Sequence, residues 1–149
     1  MQTRRETASS LQRIASDDFR LALSLMDTLL ADKDSDVRVI SATYLASLAR
    51  SDRHLFIEKA KPALERSEVR LTKRIVDSAI REYLSSDSFD RAGLLPLAWA
   101  SSDWSTKSKL AGLIIQQSEE NYEGFADTCR RFRETVSYTH LTLPTTSKV

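Results

Sequence analysis

The sequence predicts an all-α fold, built as a stack of antiparallel helix pairs. Apolar residues recur at helical spacing along most of the chain, and the chain has only three glycines and three prolines, which turn-rich β architectures need in larger numbers. A short motif also recurs about every 32 to 35 residues. It occurs as Asp36-Val37-Arg38, as Glu68-Val69-Arg70 and, more weakly, as Asp103-Trp104-Ser105. This period indicates helical hairpins that bury their apolar faces against one another.

The first predicted unit begins with a helix, A1, whose start Asp17 or Asp18 can cap by accepting from free amide N–H groups. Its apolar face holds Phe19, Ala22, Leu23, Met26, Leu29 and Leu30. The polar residues 32–36 end A1, and we expect Ser35 or Asp36 to cap a second helix, B1. Because B1 is apolar on most sides as far as Ala49, it should be buried on most sides.

The second predicted unit repeats this plan. Helix A2 carries the apolar residues Leu55, Phe56, Ile57, Ala60, Ala63 and Leu64. Pro62 falls inside it, and we expect a bend or a split there because proline lacks the backbone donor. Helix B2 is predicted to start at Glu68 and to run through Tyr83.

The third predicted unit has helix A3 from about Phe89 to Ala100 and helix B3 from about Trp104 to Ser118. Pro96 lies in A3, 34 residues after Pro62, so the expected bend recurs in register with the repeat. A fourth unit begins at Asn121-Tyr122 and lacks its second helix.

These units resemble HEAT repeats. The run Asp34-Ser35-Asp36-Val37-Arg38 and the helix that follows it are similar to the acidic turn and the Val-Arg helix start of that family, and Ser67-Glu68-Val69-Arg70 is similar but less acidic. The third unit departs, with Trp104 and Ser105 in the Val and Arg positions. The resemblance covers about residues 18–118. It implies a right-handed α-solenoid of about three repeats plus a partial fourth, whose second helices line the concave side.

The residues at the predicted turns have a structural role in this interpretation. They are Asp36, Arg38, Glu68, Arg70 and Asp103. An acidic residue at a helix start caps it and meets the positive end of the helix dipole. An arginine in the first turn opposes that dipole, so it needs another partner. In HEAT-like stacks this arginine is expected to reach the acid of a neighbouring turn, and we expect Arg70 to meet Asp34 or Asp36.

The two ends of the chain differ from its middle. Residues 1–16 are expected to form a flexible segment or a short helix, and residues 17–135 the helical repeat domain. Residues 136–145 resemble one reading frame of the transposon-end adapter of sequencing libraries. We therefore expect residues 136–149 to be a non-native, disordered tail, and the natural chain to continue beyond Thr135.

Composition excludes several classes of protein. Residues 1–135 carry 21 basic and 21 acidic side chains, and this neutrality argues against a dedicated binder of nucleic acid or of anionic membranes. The single cysteine, Cys129, excludes an internal disulfide framework and is compatible with a cytoplasmic location. No apolar run approaches the ~20 residues of a membrane span, and the N-terminus has no secretory signal. No motif implies a metal, a cofactor or a small-molecule substrate.

The sequence offers few candidates for chemistry. His54 has no metal-ligating or catalytic partner near it in sequence, so a plain polar role at the start of A2 is favoured. Cys129 precedes Arg130 and Arg131, which can lower a thiol pKa, but a lone cysteine does not make a nucleophile site.

A basic stripe on B2 is the best candidate for binding. It consists of Arg70, Lys73, Arg74 and Arg81. Positions 70, 74, 77 and 81 share one face of an ideal α-helix. The stripe can hold an acidic peptide or a phosphate backbone, and the alternative is a solvated face that Asp77 interrupts.

Trp99, Asp103 and Trp104 also resemble the Trp and Asp that HEAT-like DNA glycosylases of the alkylation-repair kind use to read damaged bases. We favour core positions for the two tryptophans and a cap for Asp103. The sequence therefore predicts a non-enzymatic scaffold or adaptor that binds another protein on its concave helical face. The alternatives are a nucleic-acid-associated HEAT-like protein and a helper domain of a larger enzyme.

Overall fold

The computed structural model describes residues 2–84, 90 and 92–142, and within these ranges it is helical with no β-strand. The helices are α1 (Gln2–Ser9), α2 (Leu11–Asp17), α3 (Phe19–Leu30), α4 (Ser35–Ala42), α5 (Leu45–Ser51), α6 (Arg53–Glu65), α7 (Val69–Ile75), α8 (Arg81–Leu84), α9 (Leu94–Ala100), α10 (Trp104–Glu120) and α11 (Tyr122–Thr142). A π-helical segment (Val76–Ile80), called the π segment below, joins α7 to α8. The predicted all-α class is confirmed.

The N-terminal segment belongs to the packed body of the protein. Residues 2–17 form α1 and α2, and Ala8 and Leu11 are buried in the same apolar cluster as the later helices. Helix α1 packs on α4, and α2 packs on α3.

The first predicted unit corresponds to α3, α4 and α5. Asp18 caps α3, with its carboxylate accepting from the Leu21 N–H at 3.1 Å. The cap of α4 is Asp34, which accepts from the Asp36 N–H at 3.2 Å, so the expectation of Ser35 or Asp36 is wrong by one or two residues. An aspartate carboxylate can accept from the backbone N–H two residues further along the chain, so Asp34 caps the helix in place of Ser35 or Asp36. B1 is not one helix, because the chain turns between α4 and α5 at residues 43–44.

The second unit differs from its prediction in both helices. Helix α6 runs unbroken through Pro62, so no split occurs there. Pro62 is exposed, and its missing N–H removes one helical bond, the one to the carbonyl of Glu58. B2 instead carries an irregularity that the sequence did not signal. Its middle is the π segment, whose i→i+5 bonds insert one extra residue into the helical turn.

The third unit begins with a shorter helix than predicted. Helix α9 starts at Leu94, after Gly93 at φ 73°, a left-handed conformation that costs glycine little. Phe89, the predicted start of A3, lies outside the described residues. Helix α10 begins at Trp104 as predicted, and Asn121 caps α11 by accepting from the Gly124 N–H at 3.0 Å.

The first residues of the tail that was expected to be disordered are helical in the structure. Helix α11 continues through residues 136–142, where the sequence contains no proline or glycine to stop it, and Pro144 follows soon afterwards. Residues 143–149 lie outside the described residues. The origin of residues 136–149 stays a prediction.

The helices pack in chain order. Helices α4 and α5 lie against α7, the π segment and α8, and α8 in turn contacts α10. On the other side α6 packs on α9, and α9 on α11. One apolar cluster runs through all of them, and its large buried members include Leu11, Met26, Phe56, Leu71, Tyr83 and Leu95.

Candidate interaction site

An ion pair links the first and second units at the starts of their second helices. Arg38, on α4, donates from Nε to Oε1 of Glu68 at 2.8 Å and from Nη2 to Oε2 at 2.5 Å. The Arg38 side chain is only 11% exposed and that of Glu68 23%. Two parallel bonds between a guanidinium and a carboxylate in a shielded position form the stronger kind of ion pair.

Further pairs extend this contact into a row. Arg70 donates to Asp36 at 3.0 Å and to Ser35 at 3.1 Å, so the contact predicted for Arg70 is present. Arg5 donates from Nε to Oδ2 of Asp34 at 3.0 Å. Arg4 adds a bond of 2.8 Å to Asp32. We call these four arginines and their acidic partners, Asp32, Asp34, Asp36 and Glu68, the arginine–carboxylate ladder.

The ladder shifts the pKa values of Glu68, Arg38, Asp34 and Asp32 in the direction of ionisation. The hydrogen bond from Arg38 lowers the pKa of Glu68 and raises that of Arg38. The hydrogen bond from Arg5 lowers the pKa of Asp34. The pKa of Asp32 is lowered chiefly by the backbone N–H of Asp34, with Arg4 contributing less. Each shift means that folding favours the charged carboxylate.

The two Val-Arg motifs are not structurally equivalent. The caps of α4, α7 and α10 are Asp34, Glu68 and Asp103, which are spaced 34 and 35 residues apart. Arg38 is therefore the fourth residue of its helix, while Arg70 is the second of its own. Glu68 makes no side-chain bond to its own helix, because Arg38 occupies its carboxylate.

The basic stripe divides into two parts. Arg70 belongs to the ladder, whereas Lys73, Arg74 and Arg81 are exposed and, among the described residues, have no carboxylate within salt-bridge distance. Asp77, which seemed to interrupt the stripe, is paired with Lys109 of α10 at 2.9 Å. These three exposed cations, Lys73 and Arg74 on α7 and Arg81 at the start of α8, follow one another along the chain without sharing one helical stripe, and are called the basic face below.

The π segment changes where Arg81 lies. An added residue rotates every later side chain by about 100° relative to a regular α-helix. The prediction that Arg70, Arg74 and Arg81 share one face is wrong for Arg81 for this reason. Arg81 instead lines a cleft between α8 and α10, together with Glu82, Leu84, Leu113, Gln116, Gln117 and Glu120.

A buried polar cluster, missed by the sequence reasoning, lies at the opposite end of the second helices. The Asp90 side chain is buried and accepts from the Leu94 N–H at 2.8 Å, the Leu95 N–H at 3.0 Å and the Tyr83 hydroxyl. Burial, with the nearby Asp90, raises the pKa of Tyr83. Arg53 lies over the Tyr83 ring, 4.1 Å from its centroid. Because Asp90 caps α9 from outside the helix, this cluster has a structural explanation.

The other sequence candidates lie apart from these contacts. His54 and Cys129 are exposed, and Arg130 and Arg131 both pair with Asp127. Asp103 caps α10 by accepting from the Thr106 N–H at 2.8 Å, and that bond lowers its pKa.

The two tryptophans have different environments. Trp99 is half-buried and packs edge-on against Phe132, with ring centroids 5.7 Å apart. Trp104 is 84% exposed, so its predicted core position is wrong. As the first residue of α10 it precedes the buried face of that helix, which begins at Thr106.

The chain matches no family model, no curated protein and no solved structure. None of the described helices combines the length and apolarity that crossing a membrane requires. Within the described residues, no group of three or more His, Cys, Asp or Glu side chains is arranged to hold a metal ion.

Proposed function

We propose that this chain is a HEAT-like α-solenoid that works as an interaction module, and that it binds an acidic segment of another protein on the face of its second helices. The repeat interpretation is supported by the spacing of polar contacts between helices. Arg4–Asp32, Arg38–Glu68, Lys59–Asp27 and Lys109–Asp77 join residues 28, 30, 32 and 32 positions apart. Contacts one repeat length apart are those that adjacent units of a stack make.

The observation that carries the functional proposal is the contrast between paired and unpaired cations. The four arginines of the ladder each bind a carboxylate, while Lys73, Arg74 and Arg81 lie on neighbouring turns of B2 without one among the residues that the structure describes. A cluster of like charges is an unfavourable arrangement that an anionic partner relieves, and such complementarity steers association. Partner binding by this face requires no catalytic group.

The size and setting of the basic face favour a peptide over a nucleic acid. Proteins that hold a phosphate backbone commonly make about six to ten phosphate contacts, and the basic face offers three cations. The whole chain carries a net charge of only +1, and Glu119 and Glu120 lie exposed at the end of the adjacent α10. A short segment with a few carboxylates fits this balance better than a polyanion.

Fluorescence anisotropy with two labelled probes tests the proposal. One probe is a short peptide of alternating Glu and Leu, and the other is a short DNA duplex. We expect the peptide to bind and the triple variant Lys73→Gln/Arg74→Gln/Arg81→Gln to lose about tenfold in affinity, since each exposed charge contributes up to about 1 kcal/mol.

The matched control is Arg20→Gln/Lys61→Gln/Arg66→Gln. It removes the same charge from exposed positions at α3 and α6, and its peptide affinity should equal that of the wild type. Equal losses of peptide affinity in both triple variants would show that net charge alone determines binding, and would reject the basic face as the binding site. Tighter binding of the duplex than of the peptide, with a steep salt dependence, would favour the nucleic-acid alternative instead.

A further inference from the structure

The cleft between α8 and α10 is lined by a buried glutamine. Gln117 lines it with a side chain that is only 2% exposed, and neither Oε1 nor Nε2 of its amide has a hydrogen-bond partner among the described residues. Buried amides are normally bonded, and leaving one unpaired costs about 1–3 kcal/mol. A side chain in this state gains more from a ligand's hydrogen bonds than a solvated one does.

A second, independent feature converges on the same cleft. The π segment ends at Ile80, and the residue that follows it is Arg81, which lines the cleft and has no carboxylate partner in the described part of the chain. Insertions of this kind in helices often occur at functional sites, because they re-aim the side chains beyond them. A guanidinium without a carboxylate partner among the described residues and a glutamine whose shielded amide is unpaired therefore line the same cleft.

The cleft's dimensions limit what it can hold. Its volume is about 250 Å³, which is smaller than the roughly 300–1,000 Å³ of pockets for whole cofactors and drug-sized molecules. Leu84 and Leu113 give it an apolar part. Two side chains of a peptide, one polar and one apolar, fit this volume and this mixture of groups.

The acidic residues of the cleft narrow the class of ligand. Glu82 and Glu120 also line it, so a polyanion such as a nucleic-acid backbone would meet two like charges there. A single carboxylate meets the same two charges, and the cleft holds it only where it pairs directly with Arg81, whose guanidinium offers a bidentate fork.

We propose that the Arg81–Gln117 cleft binds an extended peptide segment in which one carboxylate side chain neighbours one apolar side chain. Arg81 binds the carboxylate, the Gln117 amide pairs with a backbone amide of the peptide, and Leu84 and Leu113 contact the apolar side chain. Rotation about the torsions of the Gln117 side chain brings its shielded amide to the peptide. This inference rests on the proposed function and specifies which part of the acidic partner is recognised.

Nuclear magnetic resonance on the whole 149-residue chain provides the test. The probe is the peptide Ac-Ala-Glu-Leu-Ala-NH2, titrated into ¹⁵N-labelled protein while the side-chain NH2 signals of glutamine and the Nε–H signals of arginine are followed. We expect the signals of Gln117 and Arg81 to move together, and those of Gln12, on α2, to stay. Replacing Glu by Gln in the peptide should weaken binding about tenfold, since a charge-assisted pair is lost.

The variant Gln117→Leu isolates the amide. It removes no existing hydrogen bond, so it should melt at or above the wild-type temperature while losing at least about fivefold in affinity for the peptide. Gln12→Leu makes the same substitution at an exposed position of α2, away from the cleft, and serves as the control, with unchanged affinity.

The outcomes separate this inference from the proposed function. If Gln117→Leu binds the peptide as the wild type does, the subsite is refuted, and a loss in Lys73→Gln/Arg74→Gln still supports the basic face. Unmoved Gln117 signals during the titration would also refute the subsite. Signals that move with a short single-stranded oligonucleotide and not with the peptide would overturn both.

Discussion

Arg38 and Glu68 lie 30 residues apart in sequence and are joined by two hydrogen bonds of 2.8 and 2.5 Å. Arg38 also donates from Nη1 to the backbone carbonyl of Asp32, which lies before the start of its own helix α4. One side chain therefore connects the turn of the first unit to the start of the second helix of the next. The pair is shielded, whereas the neighbouring Arg70–Asp36 pair is largely exposed.

This difference predicts unequal contributions from the two arginines to stability. Arg38→Ala should lower the free energy of unfolding by about 2 kcal/mol, because it leaves a half-buried carboxylate and a carbonyl without their donor. Arg70→Ala should cost less than about 1 kcal/mol, as is usual for exposed pairs. Urea denaturation of both variants checks this order. Equal losses would show that the shielding of Arg38 is energetically irrelevant.

The ladder also predicts a loss of stability in acid. Pairing lowers the pKa values of Glu68 and Asp34 in the folded state, so their contribution is present above the unfolded pKa values of about 4 and is lost as the pH falls below them. Urea midpoints should fall steeply between about pH 5 and pH 3. Glu68→Gln should be less stable at neutral pH and should show a flatter decline in acid. A variant as pH-sensitive as the wild type would exclude Glu68 as a contributor.

The Tyr83–Asp90 cluster predicts a second pH effect, in alkali. Because folding raises the pKa of Tyr83, its contribution is present below the unfolded value of about 10 and is lost as the pH rises above it. Tyr83→Phe should remove this alkaline sensitivity. In thermal melts between about pH 8 and pH 11, its midpoint should change less with pH than that of the wild type, and the reverse would contradict the assignment.

Asp90 should contribute more to the free energy of unfolding than Tyr83, whose hydroxyl it binds. Its carboxylate accepts from two backbone amides at the start of α9 as well as from Tyr83. Asp90→Asn should lower the free energy of unfolding by about 2 kcal/mol, since an NH2 group replaces one accepting oxygen and leaves a buried donor without its acceptor. Asp77→Asn is a useful comparison, because Asp77 pairs with Lys109 in an exposed position, and it should cost less than about 1 kcal/mol in denaturant titrations.

The two tryptophans make a simple pair for testing the register of the third unit. Trp104→Ala should change the free energy of unfolding by less than about 0.5 kcal/mol, because the side chain is exposed. Trp99→Ala should cost about 2 kcal/mol through lost packing against Phe132. A large loss for Trp104→Ala, measured by chemical denaturation, would mean that α10 presents a different face to the core.

The helical class followed from the sequence because local signals agree with burial. Apolar spacing located α3, α6 and α10, and the caps Asp18 and Asp103 followed from the preference of aspartate for free helix N–H groups. The contact between Arg70 and Asp36 was expected from the resemblance to HEAT repeats, in which an arginine that opposes a helix dipole reaches the acid of a neighbouring turn.

Other features had no readable local signal. The break between α4 and α5 and the π segment arise in apolar stretches where the pattern suits a continuous helix, so they depend on packing with neighbours. The partners Arg4 and Arg5 were missed because residues 1–16 were treated as a separate segment. The Gln117 cleft depends on a side chain that looks like any helix-surface glutamine until α8 covers it.

Distances between spin labels on α2 and on the second helices of the first three units test the proposed stack most directly. Cysteines placed at positions 12, 47, 81 and 116 in a Cys129→Ser background label α2, α5, α8 and α10. Because packed helices lie about 8–10 Å apart, the distance from position 12 should grow by roughly that amount at each step, so that the 12–116 pair is the longest. A 12–116 distance no longer than the 12–47 distance would mean that the helices close into a bundle, and it would contradict the account.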